Sequence, residues 1–159
     1  MESAIPITIP IVGAAYQRVG TRSSRDRRSG HEFTARIVKQ AFGRLATVDR
    51  DGSPQNNPVG FEYNPKAGTI DIHGRNLGAT RKFRNVAANG RVAFVVDDIE
   101  SLQPWKVRGI EIRGRAEALA EQAPSRDYFS PEVIRIHPEQ VFSWGIEPGA
   151  DGTQSRRLS

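Results

Sequence analysis

The sequence predicts a mainly β fold, a closed β-barrel with short helices on its rim. Two observations support this prediction. Short segments of alternating apolar residues follow one another at regular spacing with turn residues between them, and one helical pattern comes after the third segment. The 159 residues correspond to one ordinary domain with its own core.

The first 30 residues are predicted to lie outside this barrel. Isoleucine alternates with other residues over 5–11, and prolines within the pattern favour either an extended arm along a sheet edge or partner subunit, or a disordered tail. Residues 18–30 are rich in Arg, Ser and Gly and are typical of a linker. We therefore assign 1–30 to an arm and linker, 31–149 to the barrel domain and 150–159 to a C-terminal tail.

The elements of the barrel domain follow from apolar spacing and turn chemistry. A helix is predicted over 31–41, where Phe33 and Ile37 share a face, and a second over 80–88 that stops at Asn89–Gly90. A hairpin turn is expected at 50–53. The predicted strands cover 43–49, 55–63, 69–73, 91–96, 105–119 (bent at Gly109 and Gly114), 133–136 and 141–146, the last two around a turn at His137–Pro138.

Charge and composition limit the classes of function. The net charge of +5 belongs mostly to the two ends of the chain, so a nucleic-acid-binding face on the barrel is not expected. The absence of cysteine excludes disulfides and zinc–thiolate sites and suits the cytoplasm. No apolar run approaches the roughly 18 residues of a membrane span, and the apolar N-terminus lacks the basic start of a signal peptide. We expect a cytoplasmic protein without nucleic-acid or membrane partners.

The segment Gly74–Arg84 is the first candidate site. It leaves a strand, passes two glycines and enters a helix, where free N–H groups and the helix dipole attract anions. Arg75, Arg81 and Lys82 add charge suited to phosphate, and Thr80 is placed to cap the helix or bind phosphate. The alternative is a solvated helix face.

Other candidate residues are polar amides and aromatic rings. Gln55, Asn56 and Asn57 occupy strand positions where β-branched residues are preferred, so they indicate either hydrogen bonding to a heterocycle or plain turn chemistry. Trp105 and Trp144 are candidates for stacking on a planar ring, or are simply core or interface residues. His73 and His137 are isolated, so no metal site is expected, and no catalytic triad is visible; an enzyme of this kind would depend on a cofactor.

Several segments together resemble a known family. They are Gly43–Val48, Asp51–Gln55, Arg81–Asn85, Asn89–Ala93 and Gly109–Glu117. Their order and spacing are similar to those of the pyridoxamine-phosphate-oxidase-like split β-barrel family. Further segments, 61–65, 134–138 and 143–145, resemble its branch of deazaflavin-dependent oxidoreductases that use coenzyme F420. The resemblance covers about residues 33–147, but the N-terminal arm departs from the family's longer helix.

The resemblance implies a mainly β (α+β) fold, a six-stranded split β-barrel of the FMN-binding type with short flanking helices. It also implies a homodimer with coenzyme sites between subunits. Lys82 would bind the coenzyme phosphate, Trp105 would come from the second subunit, and Trp144 would border the pocket of a small-molecule substrate. The expected cofactor-binding residues are Gln55, Asn56, Asn57, Pro58, His73, Gly74, Arg75, Thr80, Arg81, Lys82 and Trp105.

The activity that the resemblance implies is hydride transfer from reduced F420 to an activated, enone-type C=C bond, as in tailoring of tetracycline-type polyketide antibiotics. No catalytic side chain is assigned, because water or the substrate's own enol can supply the proton. The alternatives are an FMN-dependent oxidoreductase on the same barrel and a non-catalytic F420-binding protein. A third is a nucleic-acid binder that uses the basic arm, whose binding would fall steeply with salt.

Overall fold

The computed structural model describes residues 42–64, 67–146 and 152–158. The predicted arm, the linker and the helix over 31–41 lie outside these residues. A short 3-10 helix, Leu77–Ala79, precedes helix α1, Arg81–Asn89. The strands are β1 Gly43–Val48, β2 Pro54–Val59, β3 Glu62–Asn64, β4 Thr69–Ile72, β5 Arg91–Leu102, β6 Trp105–Leu119, β7 Val133–Trp144 and β8 Thr153–Arg157.

The strands form one antiparallel sheet in the order β2-β1-β5-β6-β7-β4-β3, and β8 pairs with β7 beside this path. The path ends at β2 and β3, so hydrogen bonds do not close the described strands into a ring. Residues from β2 and from β4 nevertheless lie in the same hydrophobic core, which shows that the sheet curls around it. Phe94, Leu45, Ile72 and Ile134 are among its fully buried side chains.

The mainly β prediction is confirmed, but the six-strand prediction is wrong, because the sheet has eight strands. The single strand predicted over 55–63 is two strands, β2 and β3, which pair with different neighbours. Phe61 lies at the break, and its ring packs edge-on against Phe94 with 5.1 Å between centroids. Strand β8 lies within the residues assigned to the C-terminal tail.

The predicted turn at His137–Pro138 is also wrong, because β7 continues through it. The register shifts here, with Arg113 opposite Gln140 and Gly114 opposite Pro138. This is a β-bulge, which takes up a proline that a regular ladder would exclude. A Cβ at position 114 would lie 2.1 Å from the carbonyl oxygen of His137, so only glycine permits this close approach.

Helix α1 agrees with its prediction to within one residue at each end. Gly90 ends it with φ of 70°, a left-handed conformation that glycine adopts without strain. Val86 and Asn85 are buried on the face toward the sheet. No helix among the described residues is long and apolar enough to cross a membrane.

Candidate functional site

Thr80 is the N-cap residue of α1. Its hydroxyl oxygen accepts a hydrogen bond from the N–H of Phe83 at 3.4 Å and donates one to the carbonyl of Leu77 at 2.6 Å. The residue therefore joins the 3-10 helix to α1 and caps the latter. The other N–H groups of the first turn have no partner within the helix and carry the positive end of its dipole.

Three cations crowd this same helix end. The first turn holds Arg81, Lys82 and Arg84 and no acidic residue. None of the three forms an ion pair within the described part of the chain; Arg84 donates instead to the carbonyl of Ala79 at 2.7 Å. Burial lowers the pKa of Lys82 below its usual 10.5, since desolvation disfavours the charged amine. Cations repel the helix dipole here, and a bound anion would relieve both costs.

The polar strand β2 is tied to α1 by Asn85. Its side-chain amide donates to the hydroxyl of Thr47 at 3.0 Å and to Oε1 of Gln55 at 3.4 Å. Lys82 precedes Asn85 by one turn of the helix and so lies on the same face. Gln55 therefore lies beside α1, through its contact with Asn85.

The other predicted residues of β2 alternate along this strand. Asn57 is half-buried like Gln55, whereas Asn56 and Pro58 are exposed on the opposite face. The strand is one end of the sheet order. Only every second residue of Gln55–Pro58 therefore faces the same side as the amide of Gln55.

The structure separates His73 from the start of α1. The imidazole Nε2 lies 3.8 Å from a carboxylate oxygen of Glu62, and the ring stacks on Phe129. Gly74 and Arg75 continue from His73 into the loop before α1, and Arg75 is exposed. His73 thus borders a different cleft from Arg81 and Arg84.

Two clefts flank these elements. The first, of about 700 Å³, lies between the β1–β2 turn and α1. It is lined by Asp49, Arg50, Asp51, Arg81, Arg84, Asn85, Ala87 and Ala88. The Asp49 carboxylate accepts from the N–H groups of Asp51 and Ser53 at 3.2 and 3.0 Å, so it is engaged in the turn. Arg50 and Arg81 form no ion pair within the described residues, so their guanidinium groups remain available to an anion.

The second cleft, of about 350 Å³, lies where β3, β4 and β7 meet the loop before β7. Its lining residues include Glu62, Tyr63, Asn64, His73 and Ser125. Asp71 and Arg135 also line it and form a two-pronged ion pair at 2.9 and 2.7 Å, which raises the pKa of Arg135. Within the described residues, no group of three or more His, Asp or Glu could hold a metal ion.

The two tryptophans lie on another part of the sheet. Trp144 is half-buried at the end of β7 and covers Gly109, where a Cβ would lie 2.4 Å from the indole ring. Trp105 is 62% exposed at the tip of the β5–β6 hairpin. Ile99, Leu102 and Val107 are also exposed there, and with Trp105 they form what we call the hairpin patch. The part predicted for Trp105 in a partner's coenzyme site stays a prediction.

Asn85 and Ser130 are two residues that the sequence analysis did not single out. A polar residue on the apolar face of α1 is a signal that could have identified Asn85. Ser130, which hydrogen-bonds the loop before α1, stands in an irregular segment with no periodic pattern. Nothing local in the sequence indicates its contact with a loop more than 50 residues earlier.

Comparisons with known proteins agree on one family. The family model "Pyridoxamine 5'-phosphate oxidase" matches residues 29–155. A curated relative, the 5a,11a-dehydrotetracycline/5a,11a-dehydrooxytetracycline reductase of Streptomyces rimosus subsp. rimosus, is 51% identical over 109 residues, which are 68% of this chain and 77% of the relative.

Solved structures share the fold at low sequence identity. A conserved hypothetical protein of Mycobacterium tuberculosis aligns with a TM-score of 0.57 and 20% identity, over 79% of this chain and 86% of its own. General Stress Protein 26 of Bacillus anthracis aligns with a TM-score of 0.54 and 16% identity, over 77% and 94%. These likenesses support the fold alone. The chain belongs to the pyridoxamine 5'-phosphate oxidase family, and its family and its curated relative support an oxidoreductase.

Proposed function

We propose that this protein is a reductase that uses coenzyme F420 to reduce an electron-poor C=C bond in a tetracycline-type polyketide. The relative with 51% identity is named for reduction of 5a,11a-dehydrotetracyclines, whose name denotes such a bond. The observation that carries the coenzyme part of the proposal is the unpaired positive charge at the start of α1. Three cations and free N–H groups at one helix end fit a phosphate better than a neutral ligand.

The residues at this helix end suit the phosphate of such a coenzyme. Lys82 offers a point charge, and Arg81 and Arg75 offer forked donor sets. Thr80 and the free N–H groups of the first turn add uncharged donors. We therefore propose that Lys82 is the centre of the phosphate site, with Arg75, Thr80 and Arg81 in support.

The coenzyme ring is proposed to lie along β2. A bound deazaflavin supplies a hydride from the carbon that replaces the reactive nitrogen of a flavin. The amides of Gln55 and Asn57 are suited to hydrogen bonds with the donor and acceptor edge of its ring. Because Asn85 holds Gln55, this amide is oriented before the ring binds, and such orientation is the protein's main contribution to the reaction. The reduced bond takes a hydride at one carbon and a proton, from water or an enol, at the other.

The hairpin patch supports a homodimer. Leu102 is 69% exposed and Ile99 54% exposed, so large apolar side chains at this hairpin are open to solvent in a single chain. Apolar side chains gathered in this way are typical of protein–protein interfaces. We propose that a second copy covers the patch and that Trp105 thereby reaches the partner's coenzyme.

Two rival functions share parts of this evidence. An FMN-dependent oxidoreductase on the same barrel would use the same phosphate site, because FMN also ends in a phosphate. A non-catalytic F420-binding protein would keep the site but reduce nothing. The reductase named among the relatives favours an enzyme over a non-catalytic protein, and it fits F420 and FMN equally.

Titration of the purified protein with F420 and, separately, with FMN tests the choice of coenzyme through ligand fluorescence. We expect tighter binding of F420, and clear preference for FMN would overturn this choice. Reduced F420 is then mixed with a 5a,11a-dehydrotetracycline, and oxidation of the coenzyme is followed by absorbance. Tight binding without oxidation would favour the non-catalytic protein.

A further inference from the structure

Ser130 makes a compact set of hydrogen bonds to the loop between β4 and α1. Its N–H donates to the carbonyl of Gly74 at 3.0 Å. Its hydroxyl donates to the same carbonyl at 3.0 Å and accepts from the N–H groups of Asn76 and Leu77 at 3.1 and 3.0 Å. The Glu132 carboxylate also hydrogen-bonds the side chain of Ser130, which lowers the pKa of Glu132. The hydroxyl of Ser130 is therefore engaged by this loop and by Glu132.

The two residues before Ser130 contact the same loop. The guanidinium carbon of Arg75 lies 5.4 Å from the centroid of the Tyr128 ring, a cation–π distance. The ring of His73 stacks on Phe129, with 5.5 Å between centroids and 11° between planes. Three consecutive residues, 128–130, therefore contact three consecutive residues, 73–75.

Asn76 shows why the loop needs such support. Its φ of 71° is left-handed, and among the described residues it is the one non-glycine residue with a positive φ. Left-handed backbone is unfavourable for residues with a Cβ, although asparagine tolerates it better than most. The Ser130 hydroxyl accepts from this residue and the next, where the 3-10 helix begins, and that helix leads directly to Thr80.

Glu132 adds a second point of contact from the same segment. A Cβ at position 78 would lie 2.7 Å from Oε1 of Glu132, so glycine at 78 lets the carboxylate lie against the backbone. The loop is thus packed on this side by the protein itself. This loop leads to the start of α1 with its three cations, where the phosphate is proposed to bind.

We infer that Ser130 is a positioning residue for the coenzyme phosphate, because it fixes the turn at Asn76 and so aligns the start of α1 before the coenzyme binds. The inference rests on the proposed function, which places the phosphate at α1. Ser130 itself gives no hydrogen bond to the phosphate, since the loop uses its hydroxyl. Its effect reaches the coenzyme through Asn76, Leu77 and Thr80.

The test compares two ligands on the Ser130→Ala variant by fluorescence titration. One is intact F420, and the other is a deazaflavin that ends at its sugar-alcohol chain and has no phosphate. We expect the affinity for intact F420 to fall about tenfold, the size of a lost hydrogen-bonding unit, while the phosphate-free ligand binds as before. Equal weakening of both ligands, or of neither, would overturn the inference.

Three further variants distinguish a role of Ser130 in positioning the phosphate from a general loss of stability. Ser130→Thr keeps the hydroxyl and should restore the affinity for F420. Ser125 lies in the same segment before β7 as Ser130, but its hydroxyl bonds Glu62 instead. Ser125→Ala should therefore leave the affinity for F420 unchanged. If Lys82→Ala weakens F420 binding while Ser130→Ala does not, only the role of Ser130 is wrong. If neither variant weakens it, the proposed phosphate site is wrong as well.

A double variant covers the case in which Ser130→Ala folds poorly. Asn76→Gly removes the steric cost of the left-handed turn, so the loop should need Ser130 less. We expect Ser130→Ala with Asn76→Gly to regain part of the lost F420 affinity. A double variant that folds but binds F420 no better than Ser130→Ala would contradict a role through this turn.

Discussion

Lys82 has two properties that bear on the binding of an anion. Its amine is partly buried, which lowers its pKa, and it lies at the positive end of a helix beside two arginines. Both properties disfavour the charged form in the free protein. A bound phosphate would reverse both, so a large share of the coenzyme's binding free energy should depend on this one residue.

Lys82→Ala is therefore expected to weaken coenzyme binding by about 1–3 kcal/mol, the scale of a lost charged hydrogen bond. Fluorescence titration with F420 measures the change. Arg115→Ala is the matched control, because it also removes a cation. Arg115 is exposed on β6 and lies opposite Arg91, which follows the end of α1 away from Lys82. Equal affinities of Lys82→Ala and the wild type would show that the phosphate lies elsewhere.

The pKa of Lys82 also predicts a pH dependence. Because the phosphate favours the protonated amine, coenzyme affinity should be full at neutral pH and fall as pH rises through the lowered pKa, below 10.5. Calorimetric titration across the alkaline range measures this. Lys82→Arg should keep its affinity there, since a guanidinium stays protonated. If both proteins lose affinity at the same pH, another group titrates.

At the scale of elements, local signals predicted some features and failed for others. Helix α1 was predictable because Thr80 and Gly90 mark its ends in the sequence itself. Strand β7 was not, because His137–Pro138 looks like a turn until Gly114 of the neighbouring strand provides room for a bulge. The contact of Ser130 with the loop before α1 has no local sequence signal, because the two segments meet only in the folded chain.

Asn85 connects three elements, α1, β1 and β2, and is 5% exposed. Asn85→Ala leaves the buried hydroxyl of Thr47 without this partner, so we expect the free energy of unfolding to fall by about 1–3 kcal/mol. Urea denaturation measures it. Ala88→Ser, on the exposed face of the same helix, should change it by about 0.5 kcal/mol or less. A loss in Asn85→Ala as small as that in Ala88→Ser would mean that the hydrogen bonds of Asn85 contribute little to stability.

At the scale of the whole molecule, the proposed dimer would cover the hairpin patch and add the partner's Trp105 to the proposed coenzyme site. Leu102→Glu places a charge in the proposed interface, and we expect it to convert a dimer into a monomer with weaker coenzyme binding. Light scattering after size-exclusion chromatography measures the mass. Leu102→Met keeps an apolar side chain and should remain dimeric. A wild-type monomer would contradict the proposed dimer.

The site as a whole was predictable only in part. The grouping of Thr80, Arg81 and Lys82 follows from neighbouring positions on one helix. The approach of Gln55 to that helix required a family resemblance, since 30 residues separate it from Asn85. His73 shows the limit of sequence proximity, because one residue before Gly74 the chain already faces another cleft.

Strand β8 shares one side of β7 with β4: β4 pairs with residues 134–136 and β8 with 140–144. A chain shortened before Thr153 would therefore leave the second half of β7 with a row of unpaired N–H and C=O groups. Such an exposed edge is a template onto which strands of other copies can add. We therefore expect that shortening the C-terminus before Thr153 reduces solubility even where the proposed coenzyme site is left intact.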